Sequence, residues 1–283
     1  MKRILAVTFF RLILIVTQCQ IAAAQEGSKP VPPFRIFDNL YYVGLDSVSA
    51  YILKTSGGLI LIDSLYQEFA DHIPMAMQQL NLNPKDIKYI IVTHAHTDHS
   101  GGANAIQKLS GARVGMAEGD WQMNSLGTYM SSGGQRRIFE PIRRDLVIKE
   151  GDALSLGDTT VKFYVTPGHT PGVTSLEFPV LDQGKRYKAF LFGGIGLNTV
   201  MGVRAAQQFV DSVRRVMAVP DVQVNITNHP EAAQILERAR KLPTRKPGNP
   251  LPFLDPQGFR MWLQTMLESG QKKLEAERAA NRP

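Results

Sequence analysis

Three short segments hold five of the six histidines in this 283-residue sequence. The first is THAHTDHSGG at residues 93–102, directly after an apolar run. The others are TPGHTPG at residues 166–172 and NHP at residues 228–230. Imidazole and carboxylate are the ligands that divalent zinc accepts where thiolate is absent. The clustering therefore indicates a metal site, against the alternative of buried and helix-capping histidines. The candidate ligands are His94, His96, Asp98, His99, His169 and His229.

The densest segment has a spacing that suits a ligand loop. Alternate residues project the same way from an extended chain, so His94 and His96 can share one point in space. Asp98 and His99 then reach a neighbouring point, and Gly101-Gly102 is expected to let the backbone turn tightly under a metal. The sixth histidine, His72, lies in a helical stretch and is interpreted as a surface residue.

Residues 1–24 have the features of a cleaved secretory signal. Two bases precede a mostly apolar run, and AAA at residues 22–24 supplies the small residues of a cleavage site. A spanning helix needs about 20 uninterrupted apolar residues, and Arg11 interrupts this run. The sequence therefore predicts export, cleavage near Ala24 and no membrane anchor.

Composition narrows the chemistry of the mature chain. The content of 43% hydrophobic and 20% charged residues is that of a globular protein. The single cysteine, Cys19, lies within the expected signal, which excludes a disulfide framework, a cysteine-rich zinc site and a cysteine nucleophile. Cleavage would remove three bases and no acid, which lowers the formal net charge from +7 to +4. This mild charge gives no reason to expect a nucleic-acid partner.

Apolar periodicity predicts a single domain over residues 25–283, with strands first and helices interleaved in each half. This order favours an α/β fold in which two sheets pack face to face with helices outside. Residues 117–143 have no clear period and are expected to be irregular. The charged tail from about residue 271 is expected to fray.

The motifs together resemble those of the metallo-β-lactamase superfamily. The resemblance rests on Asp63 at a strand end, the H-x-H-x-D-H stretch, the G-H-T-P-G turn and the late histidine, and it covers about residues 35–240. It implies a four-layer αβ/βα sandwich with a metal site along one edge of the paired sheets.

The resemblance also implies a role for each candidate ligand. Asp63 would accept hydrogen bonds behind the metal ligands and so fix the ligand loop. That Asp63 only forms a turn at the end of a strand is an equal alternative. Two Zn²⁺ ions per chain are expected. The first zinc would be held by His94, His96 and His169, and the second by Asp98, His99 and His229.

The stretch FLFGGIGLN at residues 190–198 narrows the branch of the superfamily. Most hydrolases of this fold carry an aspartate between the metals there, and other β-lactamase subclasses carry cysteine, but this stretch has neither. This absence resembles the third metallo-β-lactamase subclass. It implies a periplasmic zinc β-lactamase of antibiotic resistance, in which a zinc-bound hydroxide opens the ring of a small-molecule β-lactam. Asp98 would be both a ligand and the group that orients the nucleophile.

Substrate contacts have a weaker signal. Many members of this subclass have serines in the stretch that Ile195 and Leu197 occupy here. Asn198 is the polar residue that could bind the substrate carboxylate, and the alternative is that its amide only caps the loop. An exported hydrolase of lactones, thioesters or phosphoesters is the second hypothesis, and a non-catalytic binding or metal-storage protein is the third. A monomer is expected.

Overall fold

The computed structural model describes residues 27–130, 136–246 and 249–281. The expected signal at residues 1–24, with Cys19, lies outside the described residues, and its cleavage stays a prediction. None of the helices in the described part of the chain is long and apolar enough to cross a membrane.

Seven strands form the larger sheet: β1 (Phe34–Phe37), β2 (Leu40–Tyr42), β3 (Tyr51–Thr55), β4 (Gly58–Ile62), β5 (Ile87–Ile91), β6 (Arg113–Ala117) and β9 (Leu146–Ile148). Their order in the sheet is β1-β2-β3-β4-β5-β6-β9. The first four strands form an antiparallel meander. The pairs from β4 onward are parallel, so β4 and β5 end at the same edge of the sheet.

Five strands form the second sheet, in chain order: β10 (Ala153–Leu156), β11 (Thr159–Val165), β12 (Thr174–Asp182), β13 (Lys185–Phe192) and β14 (Val224–Thr227). Neighbours pair antiparallel except β13 and β14, which are parallel. A small hairpin consists of β7 (Thr128–Met130) and β8 (Arg136–Ile138).

The described residues also form seven α-helices and three 3₁₀ helices. The 3₁₀ helices lie at Gln67–Phe69, Pro84–Asp86 and Pro230–Ala233. The α-helices are α1 (His72–Gln79), α2 (Thr97–Ser100), α3 (Ala103–Ser110), α4 (Glu118–Ser125), α5 (Gly202–Met217), α6 (Ile235–Ala239) and α7 (Pro256–Ala280).

Apolar side chains are buried in three clusters, and these clusters separate four layers. Successive side chains of a strand point to opposite faces of the sheet, so neighbouring residues of strand β4 belong to different clusters. Leu59 and Leu61 face the cluster formed with α1, α3 and α4, whereas Ile60 and Ile62 face the cluster between the two sheets. The third cluster packs α5 and α7 on the outer face of the second sheet. The predicted αβ/βα sandwich is confirmed.

The expectation of an irregular segment at residues 117–143 is wrong in part, since this segment contains α4 and the β7–β8 hairpin. Trp121 on α4 is 3% exposed and donates its indole N–H to the carbonyl oxygen of Leu146 at 2.7 Å. Helix α4 is short and contains glycine, asparagine and serine, which have modest or poor helix propensity. Its stability therefore comes from tertiary packing that a local pattern does not show.

The expected fraying from residue 271 is also wrong, because α7 continues through the charged tail to Ala280. Leu274 is buried in the cluster with α5. Gly270 lies so close to Phe209 that an added Cβ would be 2.8 Å from the phenyl ring. His72, interpreted as a surface residue, is half-buried, and its Nε2 lies 3.1 Å from the carbonyl oxygen of Gly44.

Candidate metal centre

The histidine-rich loop follows β5 and includes the short helix α2. Gly101 and Gly102 at its end have helical φ values of −61° and −83°, so a left-handed turn is not what requires glycine there. A Cβ on Gly101 would overlap the backbone nitrogen of Gln67, and one on Gly102 would overlap the carbonyl oxygen of Ser64. The two glycines let the end of the ligand loop pack directly on the segment that follows β4.

His94, His96 and His169 come together as one cluster, here called the three-histidine group. The Nε2 of His169 lies 3.2 Å from the Nε2 of His94 and 3.1 Å from the Nδ1 of His96. His94 is 1% exposed, and the other two side chains are partly buried. The structure therefore brings together the same three residues that were expected to form the first ligand set.

Asp98, His99 and His229 form a second cluster, here called the aspartate-containing group. The Nε2 of His99 lies 3.1 Å from an Asp98 carboxylate oxygen and 3.3 Å from the Nε2 of His229. The two groups are adjacent, since the rings of His94 and His99 have centroids 4.2 Å apart. Among the described residues, no side chain belongs to both groups.

Hydrogen bonds to carbonyl oxygens fix the tautomers of the rings. The Nδ1 of His94 lies 2.8 Å from the oxygen of Gly193, that of His169 lies 2.7 Å from Gly196, and that of His229 lies 2.9 Å from Ser47. A carbonyl oxygen only accepts, so each Nδ1 carries the proton and a neutral ring has its lone pair on Nε2.

This assignment places lone pairs opposite each other. The short Nε2–Nε2 contact between His94 and His169 is repulsive for two neutral rings unless a cation lies between them. Zn–N bonds of about 2.0–2.1 Å in a tetrahedron place ligand nitrogens about 3.3 Å apart. The nitrogen separations of 3.1 and 3.2 Å in the three-histidine group fit a zinc ion.

Burial keeps the three-histidine group uncharged. Burial, together with the neighbouring imidazoles, holds the pKa of His94 well below its usual value. Burial also lowers the pKa of His96 and, with a further contribution from His96, lowers the pKa of His169 to about 3. These rings are neutral at physiological pH, which is the form that binds a metal ion.

The aspartate-containing group has the opposite electrostatics. Burial alone would lower the pKa of His99, but the carboxylates of Asp98 and Asp63 outweigh it and raise the pKa to about 10. Burial likewise opposes ionisation of Asp98, but His99 and His229 outweigh it and hold the pKa of Asp98 well below its usual range. The negative potential at this point attracts a cation, whether a proton or a metal.

Asp63 lies directly after β4 and behind the ligand loop. Its side chain is 1% exposed, and its φ of 59° is in the left-handed region. One carboxylate oxygen accepts from the backbone N–H of Thr93 at 2.7 Å. The other accepts from the Thr93 hydroxyl at 2.9 Å and from the Nδ1 of His99 at 2.9 Å. These contacts match the outer acceptor expected for Asp63.

Asn198 lies in the loop between β13 and α5 that also supplies the carbonyls of Gly193 and Gly196. It is exposed, and its side-chain oxygen packs against Gly196, where an added Cβ would lie 2.9 Å from it. Ile195 and Leu197 pack against the cluster with α5 and α7. The two apolar residues therefore anchor this loop to the helical layer, and the substrate role of Asn198 stays a prediction.

The sequence gives no signal for two buried side chains that support the site. Asp120 on α4 is 0% exposed and accepts hydrogen bonds from the backbone N–H groups of Ala95 and Gly172, both at 2.9 Å. Asn228 donates to the carbonyl oxygen of Gly193 at 2.7 Å, the same oxygen that accepts from His94. Each residue acts through contacts between segments far apart in the chain, so its supporting role has no local signal, although Asn228 itself lies in the NHP segment.

This chain is similar in sequence and in structure to known proteins. Residues 43–182 match the family described as the metallo-beta-lactamase superfamily. The subclass B3 metallo-beta-lactamase BJP-1 of Bradyrhizobium japonicum is 32% identical, with a TM-score of 0.78 over 90% of this chain and 97% of that one. The FEZ-1 metallo-beta-lactamase of Legionella gormanii is 26% identical, with a TM-score of 0.81 over 89% of this chain and 98% of that one.

A different activity is named among the curated relatives. Hydroxyacylglutathione hydrolase of Maricaulis maris is 30% identical over 129 residues, which are 46% of this chain and 43% of that protein. The match thus spans less than half the length of this relative.

Proposed function

Because this chain belongs to the metallo-β-lactamase superfamily, we propose that it is a zinc-dependent β-lactamase that confers resistance by hydrolysing the lactam amide of antibiotics. The observation that carries the proposal is the similarity to two metallo-β-lactamases over nearly the whole of those chains. Hydrolysis of thioesters, lactones or phosphoesters is the second candidate, since hydroxyacylglutathione hydrolase matches part of the chain.

The two ligand groups are assigned one zinc ion each. The opposed lone pairs and the nitrogen separations in the three-histidine group support the first zinc. The aspartate-containing group offers two imidazoles and one carboxylate within 4.8 Å of one another, which is a donor set that zinc accepts. Asp63 acts behind His99, since an outer carboxylate fixes the tautomer and orientation of a ligating ring.

The residues of the site have separate tasks in lactam hydrolysis. Bound zinc ions would supply an activated water at neutral pH and polarise the lactam carbonyl. The low pKa of Asp98 keeps its carboxylate ionised and able to accept a hydrogen bond from the attacking water. Because the rings of His94 and His99 are 4.2 Å apart, one amide group can lie against both ligand groups. No side chain needs to form a covalent bond with the substrate.

Substrate orientation is assigned to the loop that follows β13. Asn198 is exposed there, and its amide is a suitable donor to the carboxylate that β-lactams carry. Thr199 is not equally free, because its hydroxyl lies 2.8 Å from the Nδ1 of His169 and 3.3 Å from the His169 carbonyl oxygen. Asn198 is therefore the polar side chain of this loop proposed to contact substrate.

Export to the periplasm and action as a monomer complete the proposal. The support for export is the signal pattern of residues 1–24. N-terminal sequencing of the protein from a periplasmic fraction is expected to begin near Gln25. An intact N-terminus in the cytoplasmic fraction would contradict export without affecting the enzymatic proposal.

A substrate panel separates the two candidate activities. Purified protein with zinc is assayed against penicillins, cephalosporins and carbapenems, and in parallel against acyl-homoserine lactones, glutathione thioesters and phosphodiesters. Hydrolysis of β-lactams is expected, with loss on addition of a chelator and recovery with zinc. Turnover of thioesters or lactones alone would favour the second activity, and failure to bind zinc would reject both.

A further inference from the structure

We propose that Asp120 is a positioning residue for the three-histidine group, because its carboxylate joins the two loops that carry His94, His96 and His169. The inference rests on the proposed zinc centre and adds a residue to it. Asp120 lies on α4, outside the three histidine segments, and provides none of the donor atoms in either ligand group.

The carboxylate of Asp120 connects both ligand loops directly. One oxygen accepts from the backbone N–H of Ala95, the residue between His94 and His96, at 2.9 Å. The same oxygen accepts from the hydroxyl of Thr170, next to His169, at 2.9 Å. The other oxygen accepts from the backbone N–H of Gly172 at 2.9 Å. One side chain therefore fixes the distance between two loops that are far apart in sequence.

The surrounding backbone leaves little room for any other arrangement. A Cβ on Gly172 would lie 2.6 Å from the backbone nitrogen of Asp120, and one on Gly119 would lie 2.8 Å from the ring of Pro171. The start of α4 therefore packs directly on the turn that follows His169. This close packing holds the carboxylate in place, with Asp120 0% exposed.

The position of Asp120 makes its effect specific to one ligand group. Its hydrogen bonds reach Ala95, Thr170 and Gly172. Asp63, by contrast, bonds to Thr93 and to the ring of His99, so its one direct contact with a candidate ligand is in the aspartate-containing group. The two buried carboxylates thus support different parts of the centre.

The positioning role is tested by measuring zinc affinity in a variant that keeps only the three-histidine group as a complete zinc site. His229→Ala removes a donor from the aspartate-containing group, so the remaining zinc reports on the three-histidine group. Asp120→Asn in this background keeps the size of the side chain but replaces one carboxylate oxygen with an NH₂ group. Both oxygens of Asp120 accept hydrogen bonds, so the amide loses at least one of the three. Chelator competition is expected to show zinc binding about 10- to 100-fold weaker, which is the range for outer residues that support ligands.

Two matched variants separate positioning from general loss of structure. Asp145 also accepts a backbone N–H, from Val114 at 3.0 Å, and a side-chain amide, from Gln107 at 2.7 Å, but it lies outside the centre. Asp145→Asn in the same background is expected to change zinc affinity by less than about 3-fold. Thr170→Val removes one of the three bonds to Asp120 and is expected to weaken zinc severalfold.

The outcomes are distinct for the inference and for the proposed function. If the His229→Ala protein binds one zinc and Asp120→Asn leaves its affinity unchanged, the positioning role is wrong. Equal losses from Asp120→Asn and Asp145→Asn would also overturn it. If Asp120→Asn does not fold, unchanged affinity in Thr170→Val overturns it instead. If the unmodified protein binds no zinc, the zinc centre itself is wrong.

Discussion

The two ligand groups differ in one donor, a carboxylate in place of an imidazole, and in what surrounds the donors. In the three-histidine group, burial lowers the pKa of every ring, and backbone carbonyls fix His94 and His169. In the aspartate-containing group, two carboxylates contact His99. Two of its members are partly accessible, with 19% of the Asp98 side chain and 27% of the His229 side chain exposed.

This difference indicates that the three-histidine group would bind a cation mainly through its geometry, and the aspartate-containing group mainly through its negative charge. Three neutral rings leave the full charge of a bound divalent ion to act on a substrate carbonyl. An aspartate ligand offsets part of that charge, and its exposed edge is available to solvent. In the proposed lactam hydrolysis, a zinc in the three-histidine group would therefore be suited to polarise the carbonyl, and one in the aspartate-containing group to hold the attacking water.

Loss of a donor from the three-histidine group should have the largest effect. His96→Ala leaves two donors there, and we expect β-lactam hydrolysis to fall about 10³-fold, because a metal acting as a Lewis acid supplies several kcal/mol. Steady-state kinetics with a chromogenic cephalosporin measures this loss. His72→Ala is the matched control, since His72 belongs to neither group, and a similar loss there would contradict the contrast.

Much of the site follows from the sequence because its donors are concentrated in short motifs. The stretch from His94 to His99 follows a buried strand, and the ends of parallel strands meet at one edge of a sheet. The structure brings all six candidate ligands into two groups of the expected membership. Their binding of zinc stays a prediction.

The contacts that fix these donors could not be predicted in the same way. The carbonyls of Gly193, Gly196 and Ser47 have no side-chain signal, and their role depends on which ring reaches them. Asp120 lies in a segment without helical periodicity, so its burial between two loops follows from tertiary packing. The layered fold was easier to predict, since the run from Leu59 to Ile62 is wholly apolar, as expected of a strand that is buried on both faces.

Loss of His229 should have a smaller effect than loss of His96. His229 comes from the end of β14, and its Nδ1 contacts the carbonyl oxygen of Ser47 at 2.9 Å. His229→Ala is expected to lower the zinc content from two ions to one and hydrolysis by about 10- to 100-fold, because the zinc that remains would still polarise the substrate carbonyl. Elemental analysis after dialysis measures the zinc content. Equal loss of both ions would show that the groups are not separable.

The smallest expected effect is on the pH dependence of folding, and it concerns the carboxylate that supports the three-histidine group. Burial raises the pKa of Asp120 to about 6, although hydrogen bonds from Thr170, Ala95 and Gly172 oppose the shift. The unfolded value is about 3.9, so the folded chain holds this proton more tightly. The resulting stabilisation is present below about pH 4 and is lost as the pH rises to about 6, by at most about 3 kcal/mol.

Urea unfolding in the presence of a chelator tests this linkage. Asp120→Asn cannot ionise, so the free energy of unfolding of the unmodified protein relative to this variant is expected to fall between pH 4.5 and 7. Asp145 provides the contrast: burial opposes its ionisation, but hydrogen bonds from Val114 and Arg143 outweigh burial and lower its pKa. The free energy of unfolding of the unmodified protein relative to Asp145→Asn should be nearly constant between pH 4.5 and 7, because the Asp145 carboxyl titrates below this range. A difference for Asp120→Asn that rises with pH would mean that the three hydrogen bonds outweigh burial at this carboxylate.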